Sequence, residues 1–236
     1  AAMQAPEERV APWRKKFPEF ENVTGRYGGS VIKNPVAAFA AMMTLMDEDV
    51  GRILDLLEEL EIEDDTLVIF TSDNGPHKEG GHKPDFFDSN GPLKGYKRDL
   101  YEGGIRVATT AWWPGKIKPG SSSAHVAAGG DLLPTLCELA GMDKPKGIDG
   151  VSFAPTLLGQ PKKQEKREYL YWEFHERGGK QAVRMGKWKG IRLNVRKNKD
   201  APIELYDLSK DIGEEKNLAD KRPDLVKKMA QAMADS

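Results

Sequence analysis

The run Thr66-Leu67-Val68-Ile69-Phe70-Thr71, continued by Ser72-Asp73-Asn74-Gly75-Pro76-His77, decides the fold. Its first six residues favour β structure without polar alternation, the pattern of a central strand covered on both faces. Upstream, Pro35 opens a long helix. Val36, Phe39, Met43, Met46, Val50, Ile53, Leu54 and Leu57 recur along it at helical spacing. A long helix leading into a buried strand is the rhythm of an α/β domain with a mostly parallel sheet. In such sheets ligands bind beyond the carboxyl ends of the strands, which is where Ser72-Asp73-Asn74-Gly75 falls.

Outward from this run the chain divides in character. Residues 1–34 mix Pro, Gly and charge with Trp13, Phe17, Phe20 and Tyr27, and read as an irregular segment anchored by aromatics. Residues 72–104 form a long Gly, Asp, Asn and Pro-rich stretch, a length that in compact domains is usually functional or disordered. Residues 105–113 read as a second strand closed by Pro114-Gly115, and residues 131–140 as a short helix with Gly141 as its cap. Beyond about residue 160 the pattern changes. Short strand-like runs at 168–174, 181–185, 188–193 and 203–206, separated by Gly-Gly and Asn-Lys turns, predict an antiparallel meander. A terminal helix follows over 223–233. The expected organisation is therefore an α/β portion over 1–160 and a small antiparallel sheet with a helix over 161–236.

Composition excludes several classes. With 36 Lys and Arg against 37 Asp and Glu, the formal charge of −1 carries no basic footprint for nucleic acid. The one cysteine, Cys137, cannot close an internal disulfide and reads as a small core residue. No stretch approaches the roughly 20 apolar residues of a membrane span. The opening Ala1-Ala2-Met3-Gln4-Ala5-Pro6-Glu7-Glu8 lacks the basic and apolar regions of a signal peptide. It reads like the middle of a loop, and the chain is expected to begin inside a larger protein.

Two clusters bear chemistry. Asp73 and Asn74 offer adjacent hard oxygen donors, suited to Ca²⁺ or Mg²⁺ rather than zinc, although Asp-Asn-Gly is also an ordinary turn sequence. Lys94-Gly95-Tyr96-Lys97-Arg98-Asp99 gathers three cations, a loop that receives an oxyanion or simply faces water.

Together these stretches resemble the arylsulfatase-like, formylglycine-dependent sulfatase family. The landmarks are the strand ending Thr71-Ser72-Asp73-Asn74-Gly75 and then Lys94-Gly95-x-Lys97-x-x-x-Tyr101-Glu102-Gly103-Gly104-x-Arg106. Trp113-Pro114-Gly115, Asp131-Leu132-Leu133-Pro134-Thr135, Gly147-Ile148-Asp149-Gly150 and Glu204-Leu205-Tyr206-Asp207-Leu208 follow in order. The resemblance spans almost the whole chain and corresponds to the C-terminal part of such an enzyme. It implies an alkaline-phosphatase-like α/β fold, incomplete here, and hydrolysis of sulfate esters, with sulfated carbohydrate as the expected substrate class. It implies Ca²⁺ ligation by Asp73 and Asn74 and a role for Lys97 at the departing ester oxygen. Tyr101, Glu102, Gly103 and Gly104 match a structural turn. His77, Arg98 and His175 are candidate substrate contacts, each of which also reads as a surface or packing residue. The compartment implied is the periplasm or the exterior.

The sequence departs from the family pattern in one decisive respect. The nucleophile arises from Cys or Ser in a Cys/Ser-x-Pro/Ala-x-Arg context, and none exists here; Cys137 is followed by Glu138, Leu139, Ala140 and Gly141. The formylglycine, the other metal carboxylates and a further histidine are expected on an N-terminal half outside these residues, and the chain alone is expected to be inactive. Two other readings stay open: a metal-dependent phosphatase or phosphodiesterase of the same superfamily, and a module that binds sulfated glycans without cutting them.

Overall fold

A computed structural model describes residues 4–236; residues 1–3 of the expected irregular opening lie outside the described residues. The described residues form two compact units, one of residues 4–66 with 75–91, the other of residues 67–74 with 92–236. A boundary at 160/161 follows composition along the chain; these units follow contacts.

The first unit opens with α1 (Glu7–Lys16) and a hairpin of β1 (Thr24–Tyr27) and β2 (Ser30–Lys33), where an irregular segment was expected. The hairpin turn is Gly28-Gly29 with φ of 55° and 86°. Left-handed backbone at both central residues is what a two-residue turn between twisted strands requires, and glycine supplies it without steric cost. In α1 the first turn is acidic and the last basic, a charge order that matches the helix dipole, with Pro12 inside the helix. Next, α2 (Pro35–Glu59) begins on Asn34, whose side chain accepts from the Ala37 N–H at 3.0 Å and donates to the Phe17 carbonyl at 3.2 Å. Its expected apolar stripe is only half used. Of its members Val36 is buried, Phe39, Val50, Leu54 and Leu57 are half-buried, and Met43, Met46 and Ile53 are 37%, 40% and 56% exposed. Phe17, Phe20, Phe86 and Phe87 pack edge to face, and Phe39 and Phe87 flank His82.

The second unit begins with β3 (Val68–Phe70). It carries the one-turn α3 (Glu102–Ile105) and then β4 (Thr110–Trp112), which pairs antiparallel with β3. Two corrections follow. The strand expected over 105–113 is confined to three residues, because the preceding stretch turns through α3. And β3 is not covered: Phe70 is 45% exposed, and Trp112, which pairs with Val68, 41%. Every strand pair among the described residues is antiparallel, so the parallel partners the apolar run calls for are not among them.

Helices α4 (Leu132–Leu139) and α5 (Ala154–Leu157) are tied together by buried Asp131. Its carboxylate accepts from the Ala128 and Val151 N–H groups at 2.7 and 2.8 Å and is held bidentately by Arg167. Burial pushes this carboxyl up, but the Arg167 guanidinium and the two N–H donors outweigh burial and hold it below its usual range.

The meander is as expected: β5 (Leu170–Phe174), β6 (Lys180–Met185), β7 (Trp188–Leu193) and β8 (Ile203–Asp207), in sequential antiparallel order, then α6 (Pro223–Asp235). Strand alternation gives this sheet two working faces. Val183, Ile203 and Leu205 pack on Met229, Ala232 and Met233 of α6. The opposite face presents Ala182, Ile191 and Tyr206, which pack on Leu100 and Tyr101 of the cationic stretch. The sheet thus backs the segment that carries the candidate site.

Candidate functional site

Asp73 and Asn74 leave the end of β3 at the protein surface, Asp73 exposed and Asn74 half-buried. The turn is local. The Ser72 hydroxyl donates to the Asn74 carbonyl at 2.9 Å, and Thr71 is tethered to Thr109 beyond the sheet pair. The Asn74 side-chain amide donates to the Asp73 carboxylate, so both side chains present their polar ends to one point. Rotating that amide by a half-turn would bring its oxygen beside the carboxylate, two hard oxygen donors of the kind Ca²⁺ takes. The donor chemistry therefore fits a hard cation, as part of a set. Ca²⁺ takes six to eight oxygens, and among the described residues no group of three or more His, Cys, Asp or Glu side chains is assembled.

Lys97 and Arg98 belong to the same unit and sit half-buried on a tight turn. The Asp99 N–H donates to the Tyr96 carbonyl at 2.8 Å, and the Asp99 carboxylate accepts from the Tyr96 N–H at 3.1 Å. Arg98 is left-handed at φ 77°, uncommon for a residue with a Cβ. The turn is packed too closely for side chains behind it. A Cβ on Gly103 would lie 2.3 Å from the Gly95 carbonyl oxygen, and one on Gly104 2.2 Å from that of Asp99. This is the physical reason for Gly103-Gly104.

The C-terminal sheet holds the stretch through buried charge. Glu102 receives Lys189 at 2.9 Å and Arg184 at 3.4 Å; Lys189 also pairs with Glu214 at 3.0 Å, and the Glu102 N–H donates to Glu214 at 2.6 Å. Lys189 and Glu214 are fully buried. Burial raises the Glu214 carboxyl above its usual range despite the Lys189 ammonium beside it. Lys94 donates to the Glu214 carbonyl at 3.0 Å and lies 4.1 Å over the Tyr101 ring. The Tyr101 and Tyr206 hydroxyls both donate to Glu204, and burial, with the Glu204 charge, pushes both phenols up. Nearest the turn, Lys180 of β6 donates to the Arg98 carbonyl and to the Asp99 carboxylate, each at 2.7 Å. Burial pushes the Asp99 carboxyl up, and the Lys180 and Tyr96 donors overcome it and hold the group below its usual range.

The remaining candidates divide. Arg98 makes an ion pair with Glu176 at 3.4 Å, on the loop after β5. His175, one residue away, is 75% exposed and 3.8 Å from Glu173. Asp73, Asn74, Lys97, Arg98 and His175 thus share the second unit. His77 belongs to the first, where its Nδ1 accepts from the Glu79 N–H at 3.1 Å and its ring lies 5.2 Å from His82. Sequence reading missed Lys180, Lys189, Glu214 and Asp99. Nothing marks a lysine as buried until its partner from a distant loop is known. The one available signal was strand alternation, which puts Lys180 on the same face as Ala182.

Residues 5–142 match the family described as Sulfatase, and residues 94–236 match the C-terminal region of N-sulphoglucosamine sulphohydrolase. The chain belongs to the sulfatase family. It is similar to human arylsulfatase A, 35% identical over 203 residues, covering 76% of this chain and 38% of that protein. It is 38% identical to human N-acetylgalactosamine-6-sulfatase over 136 residues, 57% of this chain and 23% of the relative. Among solved structures it resembles Ps i-CgsB, crystallised in complex with k-i-k-neocarrahexaose. That likeness has a TM-score of 0.77 and 27% identity over all of this chain and 47% of the other. A likeness of fold alone, at 22% identity and TM-score 0.69, links it to BT4656, solved with its substrate D-glucosamine-2-N,6-O-disulfate, over 95% of this chain and 45% of that one. The fold is the α/β, alkaline-phosphatase-like fold of these sulfatases, incomplete in this chain. The sulfatase-family chain spans less than half the length of the relatives it matches. Among the described residues no helix is long and apolar enough to cross a membrane.

Proposed function

We propose that this chain supplies the cation-and-leaving-group side of a sulfuric ester hydrolase acting on sulfated carbohydrate. The observation that carries the reading is the pairing of Asp73 with Asn74 at the end of β3, in the same unit as a braced turn bearing Lys97 and Arg98. Asp73 and Asn74 would hold Ca²⁺, which when bound polarises a sulfate oxygen and offsets charge at sulfur. Lys97 places an ammonium beside the ester oxygen that departs and stabilises the charge developing there. Arg98, with its fork-shaped donors, holds a second oxyanion edge, and the loop with His175 and Glu176 borders the sugar. His77 is a further candidate contact to the substrate.

The formylglycine nucleophile and the remaining metal ligands belong, in this reading, to an N-terminal half outside these residues, and the chain alone turns over sulfate esters negligibly. Export to the periplasm or the exterior is part of the same proposal.

The test uses the complete polypeptide with a sulfated monosaccharide. Asp73→Ala and calcium chelation should each abolish turnover. Lys97→Ala should lower kcat by about 100-fold, the usual loss for one electrostatic donor. Full activity in Asp73→Ala would sink the reading, and activity restored by zinc rather than calcium would replace it with a phosphatase-type site. A second reading rests on the cationic turn of Lys97 and Arg98 held by the C-terminal sheet: a module that binds sulfated glycans without cutting them. Salt-sensitive retention of the isolated chain on a sulfated glycan, lost in Lys97→Ala, favours it.

A further inference from the structure

We propose that Lys180 is a positioning residue for the sulfate site: from the C-terminal sheet it fixes the turn that presents Lys97 and Arg98. The inference rests on the sulfatase reading of Lys97. Both acceptors of the Lys180 ammonium, the Arg98 carbonyl and the Asp99 carboxylate at 2.7 Å each, lie within two residues of Lys97. Asp99 joins the clamp to the turn. One carboxylate oxygen takes Lys180, and the other accepts the Tyr96 N–H at 3.1 Å. The clamp therefore spans Tyr96, Arg98 and Asp99, the residues around and including the left-handed Arg98 at φ 77°. A left-handed residue with a Cβ costs roughly 1–2 kcal/mol, so the turn relaxes when its restraint goes.

The anchor itself is rigid. The Lys180 side chain is 11% exposed. Gly178 and Gly179 before it are packed on Asn194 and Val195, where an added Cβ would come within 2.9 and 2.7 Å. Lys180 pairs with Leu193 in the sheet register. A charged group on a strand, aimed at a loop rather than at its own sheet, serves the loop. Sites held from rigid elements keep their geometry better than sites held by loops. A misplacement near 1 Å costs ~100-fold in rate.

Two measurements test this. In the 236-residue chain, amide hydrogen exchange across residues 96–100 should quicken at least ~10-fold in Lys180→Met. Ile191 and Leu205 should keep their protection, and Lys180→Arg should restore most of the loss at 96–100. Unchanged exchange at 96–100, or quickening throughout the sheet, overturns the inference. In the complete enzyme, with a sulfated monosaccharide, Lys180→Met should lower kcat ~10–100-fold in the wild-type background and less than ~2-fold in Lys97→Ala, because it acts through Lys97. Equal losses in both backgrounds overturn the inference alone. Full turnover in Lys97→Ala overturns the sulfatase reading of Lys97, and this inference with it.

Discussion

His82 lies between Phe39 and Phe87, with ring centroids 3.8 and 5.8 Å away, and its Nδ1 has no hydrogen-bond partner among the described residues. Burial, and then the neighbouring His77, push its pKa down to about 4. Unfolding would return it to about 6.5. Between these values the unfolded chain holds a proton that the folded chain does not, so stability rises with pH through the window. It is fully present above pH 6.5 and is lost as pH falls toward 4. His82→Phe should remove this slope and raise stability at pH 4.5 by on the order of 1–2 kcal/mol, allowing for screening. Urea denaturation of both proteins at several pH values measures it. A stability difference that stays constant from pH 4 to 7 would show that His82 does not carry the slope. The residue scale also explains why Asp73 and Asn74 could be read as a donor pair. Identity and adjacency are printed in the sequence, whereas the hydrogen bond that sets their mutual orientation is not.

The elements that brace the site are joined by charges rather than by apolar contacts alone. Lys189 is fully buried on β7 between Glu102 and Glu214. Removing its ammonium leaves two carboxylates facing one another, with Arg184 at 3.4 Å and Arg106 at 3.5 Å from Glu102 as remaining partners. Breaking such a set from one side costs about 3–5 kcal/mol. Lys189→Met should destabilise the chain by that amount in denaturant unfolding. The loss should grow with pH, because Glu214, already raised by burial, then folds best when protonated. A loss under about 1 kcal/mol would mean that the network is solvated. At this scale the sequence was legible where one rule dominated. The meander from β5 to β8 and the helix α6 follow from alternation and helical spacing, and β7 lies at 188–193 as read. It was illegible where two signals competed. In α1, Pro12 and a polar composition masked a helix that Trp13 and Val10 anchor. The Gly28-Gly29 turn is a hairpin signal that lay inside a segment read as irregular. At 102–105, the structural turn implied by the resemblance is a one-turn helix that takes in Ile105, read as the first residue of a strand.

Across the whole molecule the surface carries apolar side chains of two origins, Met46, Ile53 and Leu56 on α2 and Phe70 and Trp112 on the β3–β4 pair. Met46, Ile53 and Phe70 fall in runs read as core-facing, yet the described residues do not cover them. Chains that leave such contiguous apolar faces open tend to associate. In the reading proposed above, where further polypeptide completes the enzyme, that polypeptide supplies the cover. That account makes a prediction of opposite sign in two settings. In the chain studied alone, Ile53→Lys places a charge on an exposed helix face, and should leave the unfolding midpoint within about 0.5 kcal/mol while reducing self-association. Sedimentation and dye binding to exposed apolar surface report the second effect. In the complete enzyme the same substitution buries an unpaired ammonium, and should cost about 3 kcal/mol or more and lower the yield of folded protein. Neutrality in both settings would mean that α2 faces water in the enzyme too, and the exposed stripe would then need another partner. Destabilisation in both would mean that Ile53 is already buried within this chain, against its 56% exposure.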